Sequence, residues 1–188
     1  MSHPPFTGLE SERLLLRRFK DADLEPFLAY VNDPVVALYQ SWDSYTTEQA
    51  REVIEKQKTL EPGLPGEWFT FALELKETGA LAGHVALSVK DEEHRQGEIG
   101  FTLAREYHGR GLALEAAASV LDYAFLQLKL HRIIAITDCE NSRSAALLGR
   151  LGMRREGHFI QNIWFKGKWG DEYLFAVLRD EWLRRRNL

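Results

Sequence analysis

Apolar and polar residues alternate in three neighbouring segments of the middle of the chain. The alternation runs through Phe69–Leu75, then through Leu81–Val89, and finally through Glu98–Leu103. Successive side chains of a β-strand point to opposite faces of a sheet, so a period of two predicts half-buried strands. Gly79 and the charged run Asp91–Arg95 interrupt the pattern and predict turns. This part of the chain therefore predicts three antiparallel strands.

The spacing of apolar residues changes after the third strand. From Leu112 to Leu128 they recur every three or four residues, which places them on one face of a helix. The short apolar run Ile133–Ile136 predicts a fully buried strand, and Ala145–Leu151 predicts a second amphipathic helix that ends at Gly152. The order predicts a strand–helix–strand unit within an otherwise antiparallel run.

Further elements are predicted on both sides of this central part. They are a strand at Leu14–Leu16, a helix from Asp21 or Asp23 to about Asn32 that ends at Asp33-Pro34, a helix from Thr46 or Thr47 to about Leu60, and strands near His158–Phe165 and Tyr173–Leu178 before an Arg-rich tail. In total the pattern predicts seven strands in one mixed sheet, of the α/β or α+β class.

Composition restricts the class of protein. The chain has 188 residues and no internal repeat, which suits one domain whose core needs neither a metal nor a disulfide. The single cysteine, Cys139, and the lack of a secretion signal at the start indicate a reducing compartment, so we expect a cytoplasmic protein. A net charge of −4 argues against a nucleic-acid partner. We also expect no membrane partner, because no apolar stretch reaches the roughly 18 residues of a membrane span.

Two glycines between the third predicted strand and the long helix indicate a ligand site. In the sequence His108-Gly109-Arg110-Gly111-Leu112-Ala113 they let the backbone turn tightly and approach a ligand. The first amides of the following helix lack intrahelical partners and carry the positive end of the helix dipole, which suits a phosphate group. Arg110 can add a charge-assisted contact. A glycine turn without any ligand is the alternative.

Two common phosphate motifs do not fit this segment. A P-loop needs a lysine followed by Ser or Thr, which does not occur here. A dinucleotide fingerprint needs a third glycine or alanine where this chain has Leu114, and an acidic residue about 20 positions further on, for which Asp138 lies too far along. A different phosphate-bearing ligand is therefore expected.

The segment resembles the acetyl-CoA diphosphate loop of the GNAT N-acetyltransferases, whose pattern is Gln/Arg-x-x-Gly-x-Gly/Ala between a strand and a helix. Gly111 and Ala113 match its last two defined positions, whereas His108 replaces the usual Gln or Arg. The resemblance implies that acetyl-CoA is the cofactor. It also implies that the cofactor is bound by His108, Gly109, Arg110, Gly111, Leu112, Ala113 and Leu114.

Other segments resemble one branch of this superfamily, the RimJ/RimL-like ribosomal-protein-alanine acetyltransferases. The matching segments are Ser11–Arg17, Gly97–Gly100, Gly109–Ala116, Asn141–Ser144 and Leu151–Met153. The likeness covers about Leu9 to Trp182 and implies a single GNAT domain over residues 9–182 with short tails. The implied fold has one mixed, mostly antiparallel, seven-stranded sheet that is flanked by helices and splayed between its fourth and fifth strands.

The resemblance also implies a mechanism in which an amine attacks the thioester directly, without an acyl-enzyme. Backbone groups near Leu103 are implied to bind the pantetheine arm, and Asn141 and Ser144 are further implied cofactor contacts. Glu98 is the implied base, directly or through a water. Ser144 is the implied acid, because Leu148 stands where many family members have a tyrosine. A solvated carboxylate and a hydroxyl at a helix start are the respective alternatives.

Aromatic residues in loops are candidates for the acceptor site. They are Tyr39, Trp42 and Trp164, with Asp171 as a contact for the amine, while capping of the core and a turn are the alternatives. The resemblance makes a protein N-terminal α-amine the leading acceptor, with polyamines, aminoglycosides and amino acids as alternatives. A non-catalytic acetyl-CoA sensor is a further alternative. Homodimers are common in the superfamily, although no residue here points to one.

Cys139, His158 and Asp171 follow the chain order of a Cys-His-Asp acyltransferase triad. That interpretation predicts a covalent acyl-enzyme. Since Cys139 ends a predicted buried strand, the role of a small hydrophobic residue is the favoured one.

Overall fold

The computed structural model describes residues 6–90 and 95–187. Its strands are β1 (Leu9–Glu10), β2 (Leu14–Arg17), β3 (Trp68–Leu75), β4 (Leu81–Val89), β5 (Gln96–Leu103), β6 (Arg132–Asp138), β7 (Arg154–Phe165) and β8 (Lys168–Leu178). Its helices are α1 (Leu24–Val31), α2 (Pro34–Ala37), α3 (Thr47–Thr59), α4 (Leu112–Leu126), α5 (Ser142–Arg150) and α6 (Arg179–Arg186). Most of the charged run predicted as a turn, residues 91–94, lies outside the described residues.

The strands form one sheet in the order β1-β2-β3-β4-β5-β6-β8-β7. Neighbouring strands are antiparallel except β5 and β6, which are parallel and joined through α4. The mixed, mostly antiparallel sheet is therefore confirmed. It has eight strands rather than the predicted seven, because Leu9–Glu10 pairs with β2. A strand of two residues is too short to show an alternating pattern.

β5 and β6 separate after a short paired segment. Their pairing runs from Gln96 opposite Arg132 to Glu98 opposite Ile134 and stops there, although both strands continue for four or more residues. The predicted splay between the fourth and fifth predicted strands is confirmed at this place. It leaves a gap in the middle of the sheet that no other strand of residues 6–90 and 95–187 fills.

Helices cover both faces of the sheet. On one face α4 buries Ala116 and Val120 in a core that includes Ile99 of β5. On the other face α1 and α3 bury Phe27 and Ile54 in a second core. The apolar stripe predicted for the long helix is thus the face that packs on the sheet.

The ends of the helices show one confirmed cap and two features that the pattern did not predict. Thr46 caps α3 as predicted, with Gln49 completing a capping box. Pro34 follows α1 as predicted but also opens α2, because the Asp33 carboxylate accepts the Val35 N–H at 2.8 Å. The Arg-rich segment forms α6, which is held by the buried Trp182.

Candidate active site

The loop between β5 and α4 is shaped by two glycines and a histidine. Gly109 and Gly111 have φ values of 75° and 78°, in the left-handed region that favours glycine. A Cβ atom built on Gly109 meets nothing within 4 Å, so the backbone conformation and not space requires glycine there. The His108 ring nitrogen Nε2 lies 2.9 Å from the carbonyl oxygen of Leu103 and closes the loop onto the end of β5.

The backbone N–H groups of this loop are free to bind a ligand. Within the described part of the chain, no acceptor is found for the N–H groups of Gly109, Arg110, Gly111, Leu112, Ala113 and Leu114. The first satisfied amide is that of Glu115, which donates to the Gly111 carbonyl at 3.1 Å. Unpaired amides at the positive end of a helix dipole suit an anion, so the loop fits the diphosphate of coenzyme A.

On the β5 side of the splay, backbone groups point into the gap. The Ala104 N–H donates to Ala82 at 2.9 Å and the Lys90 N–H donates to Gln96 at 2.8 Å, so the even-numbered residues of β5 bond to β4. Backbone groups alternate in direction along a strand. The polar backbone groups of Phe101 and Leu103 therefore face the gap.

On the β6 side, the backbone groups that face the gap belong to the even-numbered residues. The Arg179 N–H donates to His131 at 2.9 Å and the Cys139 N–H donates to Asp171 at 3.0 Å, so the odd-numbered residues bond to β8. The backbone groups of Ile136 and Asp138 therefore face the gap, beyond the last residues paired with β5. Two strand edges with polar groups confront each other across the splay.

A cavity of about 200 Å³ occupies the splay. Ile99 and Ala135 line it and belong to the core on the α4 face, whereas Ile136 and Asp138 point to the opposite face. The cavity is thus lined from both faces of the sheet. Its walls are Tyr39, Gln40, Ser41, Ile99, Gly100, Phe101, Ala135, Ile136, Thr137, Asp138, Asn141, Ser144, Leu148, Ile163, Phe165 and Glu172.

Three of the side chains predicted for the site line this cavity: Tyr39, Asn141 and Ser144. Asn141 precedes α5, and its Oδ1 accepts the Ser144 N–H at 3.1 Å. The hydroxyl of Ser144 lies in the first turn of α5. Leu148, one turn further along, also lines the cavity, so the position of the usual family tyrosine is apolar.

Glu98 is half-buried on β5, two residues before Gly100, which lines the cavity on the same edge. Burial raises the pKa of its carboxyl group above the ordinary value; the positive charge of Lys90 opposes this rise and the negative charge of Glu172 adds to it. A raised pKa brings a carboxylate closer to the proton affinity that a general base needs near neutral pH.

The lining of the cavity carries negative but no positive side chains. Asp138 and Glu172, which are paired neighbours on β6 and β8, line it on the face opposite α4. No lysine or arginine is among the described lining residues. Neither carboxylate is marked as a site residue by the sequence pattern, because only the β6–β8 register brings the two together.

Three residues predicted for the acceptor site lie outside the cavity lining. The Trp42 Nε1–H donates to the Val31 carbonyl at 3.1 Å, which fixes the ring against the end of α1. Trp164 is 61% exposed and packs on Trp169 across the β7–β8 hairpin. The Asp171 carboxylate contacts His158 and Gln161 within the same hairpin. For these three, local packing explains the position without a ligand.

The components of the alternative triad do not form an activated thiol. His158 Nε2 lies 3.0 Å from Oδ2 of Asp171, and the other carboxylate oxygen, Oδ1, accepts the Gln161 N–H at 2.9 Å. Desolvation raises the pKa of the Cys139 thiol, whereas a nucleophilic cysteine needs a lowered one. Cys139 is also absent from the lining of the cavity.

The described residues contain neither a candidate membrane-spanning helix nor a candidate metal-binding cluster. No helix among them is long and apolar enough to cross a bilayer. They also bring together no group of three or more His, Cys, Asp or Glu side chains suited to a metal ion.

The chain is similar in sequence and in fold to known acetyltransferases. A family model described as an acetyltransferase (GNAT) domain matches residues 13–154. The Uncharacterized N-acetyltransferase YnaD of Bacillus subtilis (strain 168) is 35% identical over 174 residues, which cover 93% of this chain and 98% of that protein. The crystal structure of a GNAT-family acetyltransferase from Bacillus anthracis matches with a TM-score of 0.82 at 35% identity, over 93% of this chain and 100% of that one.

A relative with a named substrate matches over a shorter region. The Spermidine N(1)-acetyltransferase of Escherichia coli (strain K12) is 30% identical over 105 residues, which cover 56% of each chain. The named relatives favour an enzyme over a non-catalytic sensor. The match of the family model to most of the chain decides the family: this chain belongs to the GNAT acetyltransferases and is an acetyl-CoA-dependent acetyltransferase.

Proposed function

We propose that the enzyme moves the acetyl group of acetyl-CoA by direct attack onto a primary amine, and that the leading acceptor is a protein N-terminal α-amine. The observation that carries this proposal is the cavity in the splay, which is lined from both faces of the sheet. A cavity lined from both faces lets a thioester and an amine meet from opposite sides in a near-attack arrangement. Acetyl-CoA, when bound, supplies the activated acetyl group.

The chain offers backbone donors for the cofactor at two places. The unpaired amides from Gly109 to Leu114 suit the diphosphate. The edge of β5 at Phe101 and Leu103 suits the amides of the pantetheine arm, which would pair with it as an added strand does. The amide nitrogen of Asn141, whose oxygen caps α5, is a third donor at the edge of the same cavity.

Proton transfer is assigned to one carboxylate and one hydroxyl. Glu98 takes the proton of the attacking amine through a water, and the half-buried position and raised pKa of its carboxyl group support this role. Ser144 donates a hydrogen bond to the departing thiolate. A thiol is a comparatively good leaving group, so a weak acid suffices at this position.

The proton affinity of the acceptor supports an α-amine. At the pH of the cytoplasm, where the lone Cys139 suggests that the enzyme works, an α-amine with a pKa near 7.8 is about a fifth neutral. A lysine side chain is less than roughly 0.1% neutral there. One half-buried carboxylate is a modest general base. It matches the α-amine, which needs less base catalysis than a lysine side chain because more of it is already neutral.

A second acceptor class is supported by a separate observation. Asp138 and Glu172 line the cavity, and no basic side chain of the described residues neutralises them there. Two carboxylates favour an acceptor with a positive charge besides that of the reacting amine, such as a polyamine. The partial likeness to a spermidine acetyltransferase points the same way.

Acceptor profiling tests the proposal. The enzyme is incubated with acetyl-CoA and a panel of peptides with free N-termini, the same peptides with blocked N-termini, and polyamines, and products are read by mass spectrometry. Acetylation confined to free peptide N-termini supports the leading acceptor. Acetylation confined to polyamines, with loss of activity in Asp138→Asn and Glu172→Gln, supports the second. Thioester consumption without any acetylated amine would contradict both.

A further inference from the structure

Arg13, in the turn between β1 and β2, contacts the start of α4 at two points. Its Nε and Nη2 atoms both lie 2.7 Å from Oε2 of Glu115 in the first turn of the helix. Its backbone N–H donates to Oε1 of the same carboxylate at 2.7 Å. Its Nη1 donates to the carbonyl oxygen of Arg110 at 2.9 Å. One side chain thus joins the helix to the glycine loop.

The bond to Arg110 orients the peptide that leads into Gly111. In a trans peptide the carbonyl and the following N–H point in opposite directions, and the described chain contains no cis peptide. Because the Arg110 carbonyl points to Arg13, the N–H of Gly111 points away from Arg13 and is one of the unpaired amides of the loop. Glycine leaves this peptide many orientations, and Arg13 selects one of them.

Arg13 also compensates a charge. Glu115 places a carboxylate in the first turn of α4. There its negative charge interacts favourably with the helix dipole but repels a second anion at the same helix start. The two contacts from the guanidinium neutralise this carboxylate locally, and the Arg13 backbone N–H and the Ser11 hydroxyl each donate a hydrogen bond to its Oε1 at 2.7 Å. The Arg13 side chain is 46% exposed, so the pair lies at the surface beside the loop.

We propose that Arg13 is a positioning residue for the diphosphate of coenzyme A: it holds the Arg110–Gly111 peptide so that the Gly111 amide is presented to the diphosphate, and it cancels the charge of Glu115. The proposal rests on the diphosphate site proposed above. The proposed role of Arg13 differs from a general structural role because it affects the binding of the diphosphate and not of the rest of the ligand. Loss of Arg13 should weaken the binding of ligands that contain the diphosphate. It should leave the binding of ligands that lack the diphosphate unchanged.

The same turn offers a matched control. The Lys76 Nζ donates to the Ser11 carbonyl at 2.7 Å and to Glu10 at 2.9 Å, and its backbone N–H donates to the Arg13 carbonyl at 3.0 Å. Its side chain therefore stabilises the β1–β2 turn without touching Glu115 or Arg110. Lys76→Met perturbs the turn and removes none of the side chains that contact Glu115 or Arg110.

The test compares three ligands by calorimetry or competition, for the unmodified enzyme and for Arg13→Met, Arg13→Lys and Lys76→Met. Coenzyme A and dephospho-coenzyme A contain the diphosphate, whereas pantetheine, the third ligand, contains no phosphate. We expect Arg13→Met to raise the dissociation constants of the first two about tenfold, as loss of a charge-assisted bond does, and to leave the third within about twofold. Arg13→Lys keeps the positive charge but cannot contact Glu115 and the Arg110 carbonyl with separate nitrogen atoms. It should weaken the binding of the first two ligands severalfold. Lys76→Met should change none.

The outcomes separate this inference from the proposed diphosphate site. Equal weakening of all three ligands by Arg13→Met, or no weakening of any, overturns the positioning role. If Gly111→Glu abolishes binding of coenzyme A while both Arg13 variants bind normally, the site stands and the inference fails. If neither Gly111→Glu nor the Arg13 variants affect binding, the site itself is wrong. Should Arg13→Met not fold, Arg13→Lys decides by the same criteria.

Discussion

The Oδ1 atom of Asn141 accepts the backbone N–H of Ser144 at 3.1 Å, and both residues line the cavity in the splay. The side-chain oxygen therefore caps α5 while the side-chain nitrogen stays available to a ligand. The oxygen of this amide group thus stabilises the helix, and the nitrogen is the donor proposed for the cofactor. A substitution can remove the donor and keep the cap.

Asn141→Asp should keep the cap and lose cofactor affinity. Aspartate caps a helix about as well as asparagine, so the free energy of unfolding should change little. The variant replaces an amide donor by a negative charge, and we expect the dissociation constant of coenzyme A to rise at least about tenfold. Asn141→Ala is the control, because it also removes the cap and should cost about 1 kcal/mol of stability. Unchanged affinity in Asn141→Asp would remove Asn141 from the cofactor site.

Gly111→Glu should abolish cofactor binding while the protein stays folded. The variant places a carboxylate at the helix start where the diphosphate is proposed to bind. Because Gly111 has a φ of 78°, any side chain there adds about 1–2 kcal/mol of strain. Gly111→Ala carries the same strain without the charge and should bind coenzyme A, which calorimetry and thermal unfolding can show together. Retained affinity in Gly111→Glu would contradict the placement.

Glu98→Gln should lower activity and raise stability. Removal of a general base costs about 100-fold or more in kcat, and the KM for acetyl-CoA should not change. Burial raises the pKa of Glu98 in the folded protein, so the native state binds more protons than the unfolded chain across the window between the two pKa values. Stability is therefore lost as pH rises through that window, and the glutamine variant should be the more stable one at pH 7. Urea unfolding at two pH values measures this.

The acidic limb of the kcat profile gives a second test of Glu98. We expect activity to rise with pH through the pKa of this carboxyl group, which burial raises above its ordinary value. That limb should disappear in Glu98→Gln. An unchanged limb in the variant would assign the titration to another group.

His84 should make stability depend on pH. Burial lowers the pKa of His84 to about 4, and the Tyr30 hydroxyl lies 2.7 Å from its Nδ1. The unfolded chain takes up this proton near pH 6.5 but the native state does not, so stability falls as pH drops from about 6.5 to about 4, by up to about 3 kcal/mol. His84→Gln should flatten this dependence in urea unfolding. An identical pH dependence in the variant would show that other groups cause it.

Cys139→Ser should leave kcat within about twofold. Direct attack needs no nucleophilic residue, and the raised pKa of the Cys139 thiol disfavours the thiolate. Denaturing mass spectrometry of the unmodified enzyme after incubation with acetyl-CoA should show no acetyl adduct. Loss of activity by several orders of magnitude, together with an adduct in the unmodified enzyme, would restore the covalent mechanism.

Local signals predicted most of the elements because their causes are local. The alternating residues of β3, β4 and β5 and the helical spacing of α4 depend only on near neighbours in the chain. The cap at Thr46 depends on a residue three positions away. By contrast, α6 contains one buried residue, Trp182, whose Nε1–H donates to Asp122, 60 positions earlier. No local pattern marks such a helix.

The sequence by itself determined the helix start with its glycines, the order of the strands along the chain and the family motifs, since each resides in a few consecutive residues. Only the tertiary structure decided which aromatic and acidic side chains meet. The β6–β8 register brings Asp138 beside Glu172, a hairpin contact occupies Trp164, and Arg13 meets Glu115 across 102 positions. Contacts between distant segments depend on how the elements pack, and the period of any one segment does not contain that information.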